Sequence, residues 1–197
     1  MIFQKCCCLI AGLVALGACG APADVPARTL PDEAMIEPPP APVPPSLPTP
    51  VRETREAILD AARAGSLRRL SRLADAQPAF LSNFGDVSHY RHWDLMRRTG
   101  FDPNRTLVEL FDKPHAAKRV GEETWYIWPD LAARSNAELQ PELLSFRDKA
   151  RLEAMVGEAG IAAIRDGAPY PGVRTAISET GAWRYFLHEA AGEGETE

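Results

Sequence analysis

The chain has 197 residues, enough for one ordinary domain with extensions. Its formal net charge is −5, with 22 Lys and Arg against 27 Asp and Glu, which lacks the basic excess of a nucleic-acid-binding protein. All four cysteines, Cys6, Cys7, Cys8 and Cys19, precede residue 20, so residues 20–197 offer no disulfide, no thiolate metal site and no cysteine nucleophile.

Lys5 is followed by "CCCLIAGLVALGA", an apolar run of 13 residues from Cys6 to Ala18. A membrane-spanning helix needs roughly 20, and Gly12, Gly17, Gly20 and Pro22 weaken a spanning helix further. A positive start, a short apolar stretch and small residues at its end read as a secretory signal peptide over residues 1–18. From the residues alone, a plain signal peptide cut near Ala21 and an uncleaved anchor remain as alternatives. The tetrapeptide Leu16-Gly17-Ala18-Cys19 resembles a bacterial lipobox. That resemblance implies cleavage before Cys19, a diacylglycerol on its thiol and an acylated new N-terminus. Two or three acyl chains together hold a protein on a bilayer, where one is marginal. Gly20 stands where many inner-membrane lipoproteins carry aspartate, so the resemblance implies the outer membrane.

Residues 21–50, "APADVPARTLPDEAMIEPPPAPVPPSLPTP", contain eleven prolines and no aromatic residue. Such a stretch buries too little apolar surface to offset the entropy of ordering it. With the lipidated cysteine it reads as a tether over residues 19–50, of polyproline II character and dispensable for folding. Its reach is at most roughly 90 Å, at about 3.1 Å per residue. A PxxP ligand for a partner domain is the functional alternative.

A single α+β domain is expected over residues 51–188: several short helices packed on a small antiparallel sheet of about three strands, ending in a C-terminal hairpin. "VRETREAILDAARAGSLRRLSRLADAQ" predicts two helices split at Gly65. Ile58, Leu59 and Ala62 share a face of the first, and Leu67, Leu70 and Leu73 of the second, with Ser66 as N-cap. Arg63, Arg68, Arg69 and Arg72 lie near one another. They read either as an anion or lipid-headgroup site or as a solvated face balanced by Glu53, Glu56, Asp60 and Asp75. "SNFGD" is a loop. A helix follows over about Ser88–Arg98, and Asp102-Pro103-Asn104 opens another that ends before Pro114.

"ETWYIWP" predicts a strand, with Trp125 and Ile127 on one face and Tyr126 and Trp128 on the other. Gln140-Pro141 predicts a helix start; Leu143, Leu144, Phe146, Leu152, Met155 and Val156 would supply its apolar side. "GEAG" would break it before a last short helix carrying Ile161 and Ile164. "VRTAI" and "AWRYFL" flank "SETG", a hairpin with glycine at the left-handed position. Strict alternation puts Trp183, Tyr185 and Leu187 on one side of the second strand. Residues 189–197 read as an acidic disordered tail.

Few side-chain constellations suggest chemistry. Asp86, His89 and His92 have helical spacing for metal ligands, but no fourth ligand is placed, and a mix of surface and half-buried histidines accounts for them. Glu122 and Glu123 suggest half of a glycosidase pair, yet adjacent residues point apart. Phosphate-loop, dinucleotide, nucleophile-elbow and zincin motifs are absent from the sequence. Trp125, Tyr126, Trp128, Trp183 and Tyr185 are the candidate ligand-binding residues, because aromatic faces stack on sugars and peptides. The competing reading places them in the core of a small domain.

The Tyr126-x-Trp128-Pro129 strand and the ending marked by Ile177, Gly181, Trp183, Tyr185 and Phe186 also resemble a set of exported alphaproteobacterial proteins. The likeness covers the C-terminal third and implies no activity. The sequence thus leads to a membrane-anchored envelope lipoprotein with a non-catalytic binding or structural domain. The partners expected are the membrane, through the lipid on Cys19, and a cell-wall component or envelope protein. No cofactor, no metal and no nucleic acid is expected. The alternative is a periplasmic hydrolase using Asp86, His89, His92 and Glu122.

Overall fold

The computed structural model describes residues 46–82 and 87–188. Cys19, the signal-peptide-like run, residues 21–45, Asp86 and the acidic tail lie outside them. Among the described residues the chain forms an α+β domain of five α-helices and a four-stranded antiparallel sheet.

Helix α1 (Thr49–Arg63) starts in the Pro-rich stretch, with Pro50 in its first turn, where a missing N–H costs nothing. Val51 is fully buried, and Leu47 packs on the same core, so the tether expected to run to residue 50 and to be dispensable for folding gives way to packed structure by Leu47. The chain turns at Gly65 (φ +63°) into α2 (Leu67–Asp75), where Ser66 Oγ accepts from the Arg69 N–H at 3.3 Å. Ser88 caps α3 (His89–Arg98), and Asp102 caps α4 (Pro103–Phe111), whose first residue is proline.

The sheet order is β1-β2-β3-β4. Strand β1 (Ala116–Val120) forms a hairpin with β2 (Glu123–Trp128), and β3 (Arg174–Ser178) forms one with β4 (Trp183–Leu187). Strand β1 was not foreseen: "AAKRV" has neither alternation nor high β-propensity, and only its turn to β2 at Gly121 (φ +61°) marks it. The outer edge of β4 is also occupied. Leu81 lies parallel to it, its N–H donating to the Arg184 carbonyl (3.0 Å) and its carbonyl accepting from the Phe186 N–H (3.2 Å).

Two further expectations are corrected. The helix expected from Gln140-Pro141 begins at Phe146, because Ser145 Oγ caps it by accepting from the Asp148 N–H at 3.1 Å. Residues 136–139 and 141–143 form turns, and Gln140 Nε2 donates to the Ile164 carbonyl (2.9 Å). Leu143 and Phe146, assigned to the apolar side, are 74% and 92% exposed. Helix α5 (Phe146–Arg165) is interrupted within "GEAG" by Gly157, whose φ of +65° is non-helical.

The second correction concerns β4. Ala176 pairs with Tyr185, but Ile177 pairs with Trp183, so Arg184 is an extra residue in the ladder. This bulge shifts the alternation by one position. Trp183 therefore shares a face with Phe186 and not with Tyr185 and Leu187.

The main core follows from that arrangement. Ile58, Leu70, Trp93, Leu107 and Phe111 of the helices pack with Trp128, Ile177, Trp183 and Phe186 of the sheet. A second cluster joins Leu131 of the 3-10 turn Asp130–Ala133 to Leu139, Tyr170, and Leu152, Ile161 and Ile164 of α5. Around it, Arg151 pairs with Asp130 and with Asp148 (3.0 Å), and Arg134 pairs with Asp148 (2.7 Å).

Candidate functional site

The bulge sorts the five candidate aromatic residues into two sets. Trp128 and Trp183 are each only 1% exposed. Trp128 meets Phe111 edge-on at 5.0 Å, and Trp183 lies 4.7 Å from Phe80 and 6.1 Å from Trp93. Tyr126 is half-buried against the same core. Trp125 and Tyr185 stand on the opposite face of the sheet, half-buried, with ring centroids 6.0 Å apart and planes tilted by 59°. The five do not form one platform; two of them form a pair.

That pair sits on a rigid base. Trp125 lies opposite Ser178 and Tyr185 opposite Ala176, and both β3 residues are fully buried. On the far side Trp125 faces the exposed Lys118 of β1. The Trp125 indole N–H donates to Glu123 Oε2 at 3.1 Å, which fixes the ring. The same oxygen accepts from Arg184 Nη2, and the Arg184 guanidinium lies 5.7 Å over the Trp125 ring. One carboxylate and one guanidinium thus clamp the indole from its edge and its face. Arg184 Nε is buried with no hydrogen-bond partner among the described residues. Burial pushes the Tyr185 phenol up to about 12, against a small opposing effect of Arg174, so Tyr185 is neutral at physiological pH.

Such a surface can stack a flat apolar ligand face on the two rings and offer it a carboxylate and a guanidinium. Alternation on β2 revealed Trp125. Tyr185 was legible only as an aromatic residue, because a one-residue bulge leaves no periodic trace. Arg184 was missed as a site residue, and Glu123 was weighed only as half of an acid/base pair with Glu122; their signal was their place near Trp125 and Tyr185 in sequence.

The residues of the hydrolase reading are not shown together. Asp86 is outside the described residues. Glu122 is exposed in the β1–β2 turn. His89 Nδ1 lies 3.6 Å from Asp75, and its ring packs on Phe80 at 5.1 Å. Burial lowers the pKa of His89, partly offset by Asp75; burial and His89 lower that of His92. Among the described residues no group of three or more His, Cys, Asp or Glu is placed to hold a metal ion. No described helix is long and apolar enough to cross a membrane.

A concavity of about 220 Å³ opens between α4 and α5. Leu110, Val173 and Met155 line it with Glu109, Lys113 and Tyr170, and the Tyr170 hydroxyl lies 3.8 Å from Met155 Sδ. Glu109 is engaged by Arg105 at 2.7 Å. The Trp125–Tyr185 face is the better-equipped site. No protein-family model, curated protein or solved structure matches the chain.

Proposed function

We propose that this protein is a membrane-anchored envelope lipoprotein, attached through Cys19 at the outer membrane and facing the periplasm. Its domain acts as a non-catalytic binding module for a cell-wall component or an envelope partner. The lipobox-like Leu16-Gly17-Ala18-Cys19 and the Pro-rich residues that follow support the anchor and its tether. The observation that carries the binding role is the half-exposed Trp125–Tyr185 pair, held by Glu123 and Arg184 and kept apart from the main core by the β4 bulge. Large rings held rigidly at a surface lose little entropy when a ligand stacks on them.

The test is co-sedimentation of the full chain with purified peptidoglycan sacculi, and capture of envelope proteins by the same chain. Trp125→Ala removes the stacking surface without touching the main core. It should lower retention on its ligand about tenfold, as loss of one ring contact worth about 1.4 kcal/mol would, while the melting temperature stays near that of the parent. Equal retention by parent and variant would end the proposal for this face.

A further inference from the structure

Three of the nine residues of α2 are arginine, and their side chains do different things. The Arg68 guanidinium leaves the α1 side and lies 5.7 Å over the Tyr90 ring of α3. Arg72 Nε donates to the Arg68 carbonyl at 3.2 Å, and its two terminal nitrogens have no hydrogen bond among the described residues. Among the described residues neither Arg69 nor Arg72 pairs with a carboxylate. The balancing acids named from the sequence are engaged elsewhere or not at all: Asp75 lies against His89, and Glu53, Glu56 and Asp60 form no ion pair with α2 among the described residues.

Arg69 and Arg72 are one helical turn apart, on one side of α2. They line a groove of about 300 Å³ between α1 and α2, whose remaining wall is Ala57, Ala61 and Leu73. Ala57 and Ala61 are also one turn apart, and their small side chains are what leave the space. The groove therefore has an apolar floor beside the Arg69 guanidinium and the two terminal nitrogens of Arg72. Guanidinium matches phosphate oxygens in a planar fork and is only weakly hydrated, which suits a site that is apolar on one side. A free inorganic phosphate would leave the floor unused. A phosphodiester with a glycerol and acyl carbons attached would use both parts. The chain as a whole carries −5, so attraction of an anion here is local to these arginines and not a property of the whole protein's field.

We propose that the α1–α2 groove is a binding site for the phosphodiester headgroup of an anionic phospholipid, with Arg69 and Arg72 on the phosphate and Ala57, Ala61 and Leu73 under the glycerol and first acyl carbons. The site lies within the folded domain and does not depend on attachment at Cys19. It gives the domain a second hold on the membrane, one that orients it.

The test uses the full chain in nanodiscs of phosphatidylcholine with phosphatidylglycerol as the minor lipid. A photo-crosslinking amino acid replaces the exposed Ala64, one turn beyond Ala61 and outside the groove lining, and a control carries it at the exposed Leu95 of α3. Lipid adducts are identified by mass spectrometry. At position 64, phosphatidylglycerol should be enriched about tenfold over its share of the bilayer. At position 95 it should match that share. The double variant Arg69→Gln/Arg72→Gln changes only exposed side chains; it should keep its helical circular dichroism and bring position 64 down to the bilayer share. Absence of a lipid adduct at 64, no enrichment, or enrichment that survives the double variant would each overturn the proposal. So would suppression of the adduct by millimolar inorganic phosphate, which would make free phosphate the ligand. Failure of the anchor reading shows separately, as equal labelling of the parent and Cys19→Ala chains by a lipid precursor.

Discussion

The indole N–H of Trp183 donates to Thr175 Oγ1 across the β3–β4 hairpin, 2.8 Å away and sealed from solvent. Thr175 Oγ1 in turn donates to the Tyr185 carbonyl at 2.6 Å. This buried tryptophan thus has its one polar atom satisfied, which is the condition for burying such a side chain fully. Thr175→Val keeps the shape and orphans that N–H, at a cost of about 1–3 kcal/mol. Trp183→Ala opens a cavity and should cost about 3–5 kcal/mol. Thr175→Ser should recover most of the loss. Urea denaturation of the three variants checks the order; a valine variant as stable as the parent would mean the bond contributes nothing.

The turn before β4 is locked to the first helix. Gly181 has φ +88°, and a Cβ there would meet the Pro50 carbonyl oxygen at 2.9 Å. Thr54 Oγ1 donates to the Gly181 carbonyl at 2.6 Å. Gly181→Ala combines a left-handed backbone with a clash against backbone and should cost at least about 2 kcal/mol. The same contact defines where the packed chain starts. A chain beginning at Ser46 should melt with the parent. One beginning at Arg52 loses Leu47, Pro50 and the buried Val51, and should melt several degrees lower, since burial of one such aliphatic side chain is worth about 1.5–3 kcal/mol. Equal melting of the two truncations would show that residues 46–51 add nothing.

Alkaline pH should weaken the fold through two tyrosines. Burial pushes the phenols of Tyr170 and Tyr185 up to about 12 from 10.0. Between those values the unfolded chain releases protons that the folded chain retains, so stability falls as pH rises from about 10 to 12 and is fully present below 10. The loss is at most about 3 kcal/mol per tyrosine. Denaturation at a series of pH values, with phenolate absorbance followed in parallel, measures it. Tyr185→Phe should flatten part of the slope; an unchanged slope would mean that Tyr185 titrates like a free phenol.

Cys19 carries the anchor proposal. Cys19→Ala should move the protein from the membrane fraction to the soluble fraction and abolish labelling by a lipid precursor. Equal labelling of both chains would remove lipid attachment at this residue.

Helices with explicit stop and start signals were legible from the sequence: Gly65, Ser66, Ser88 and the Asp102-Pro103 pair act through one turn of backbone, so local chemistry decides them. The C-terminal hairpin was legible for the same reason, through Gly181. The start of α5 was not. Pro141 is a good first residue for a helix, but the Gln140 side chain is tied to the Ile164 carbonyl, 24 residues away, and Ser145 caps the helix instead. A bond between distant residues leaves no local mark. The same holds for the candidate site, where one extra residue at Arg184 decides which aromatic residues are buried together.

The pairing of Leu81 along β4 bears on how copies of this chain meet one another. An open strand edge is a template for another strand. On one side of the sheet that template is interrupted by the chain's own residue 81. On the other side, β1 exposes Lys118 and Arg119, so two copies approaching edge to edge would bring like charges together. The sheet is closed to self-extension by a backbone plug at one border and by electrostatic repulsion at the other, a safeguard against fibrillar stacking wherever many copies are crowded into a small volume.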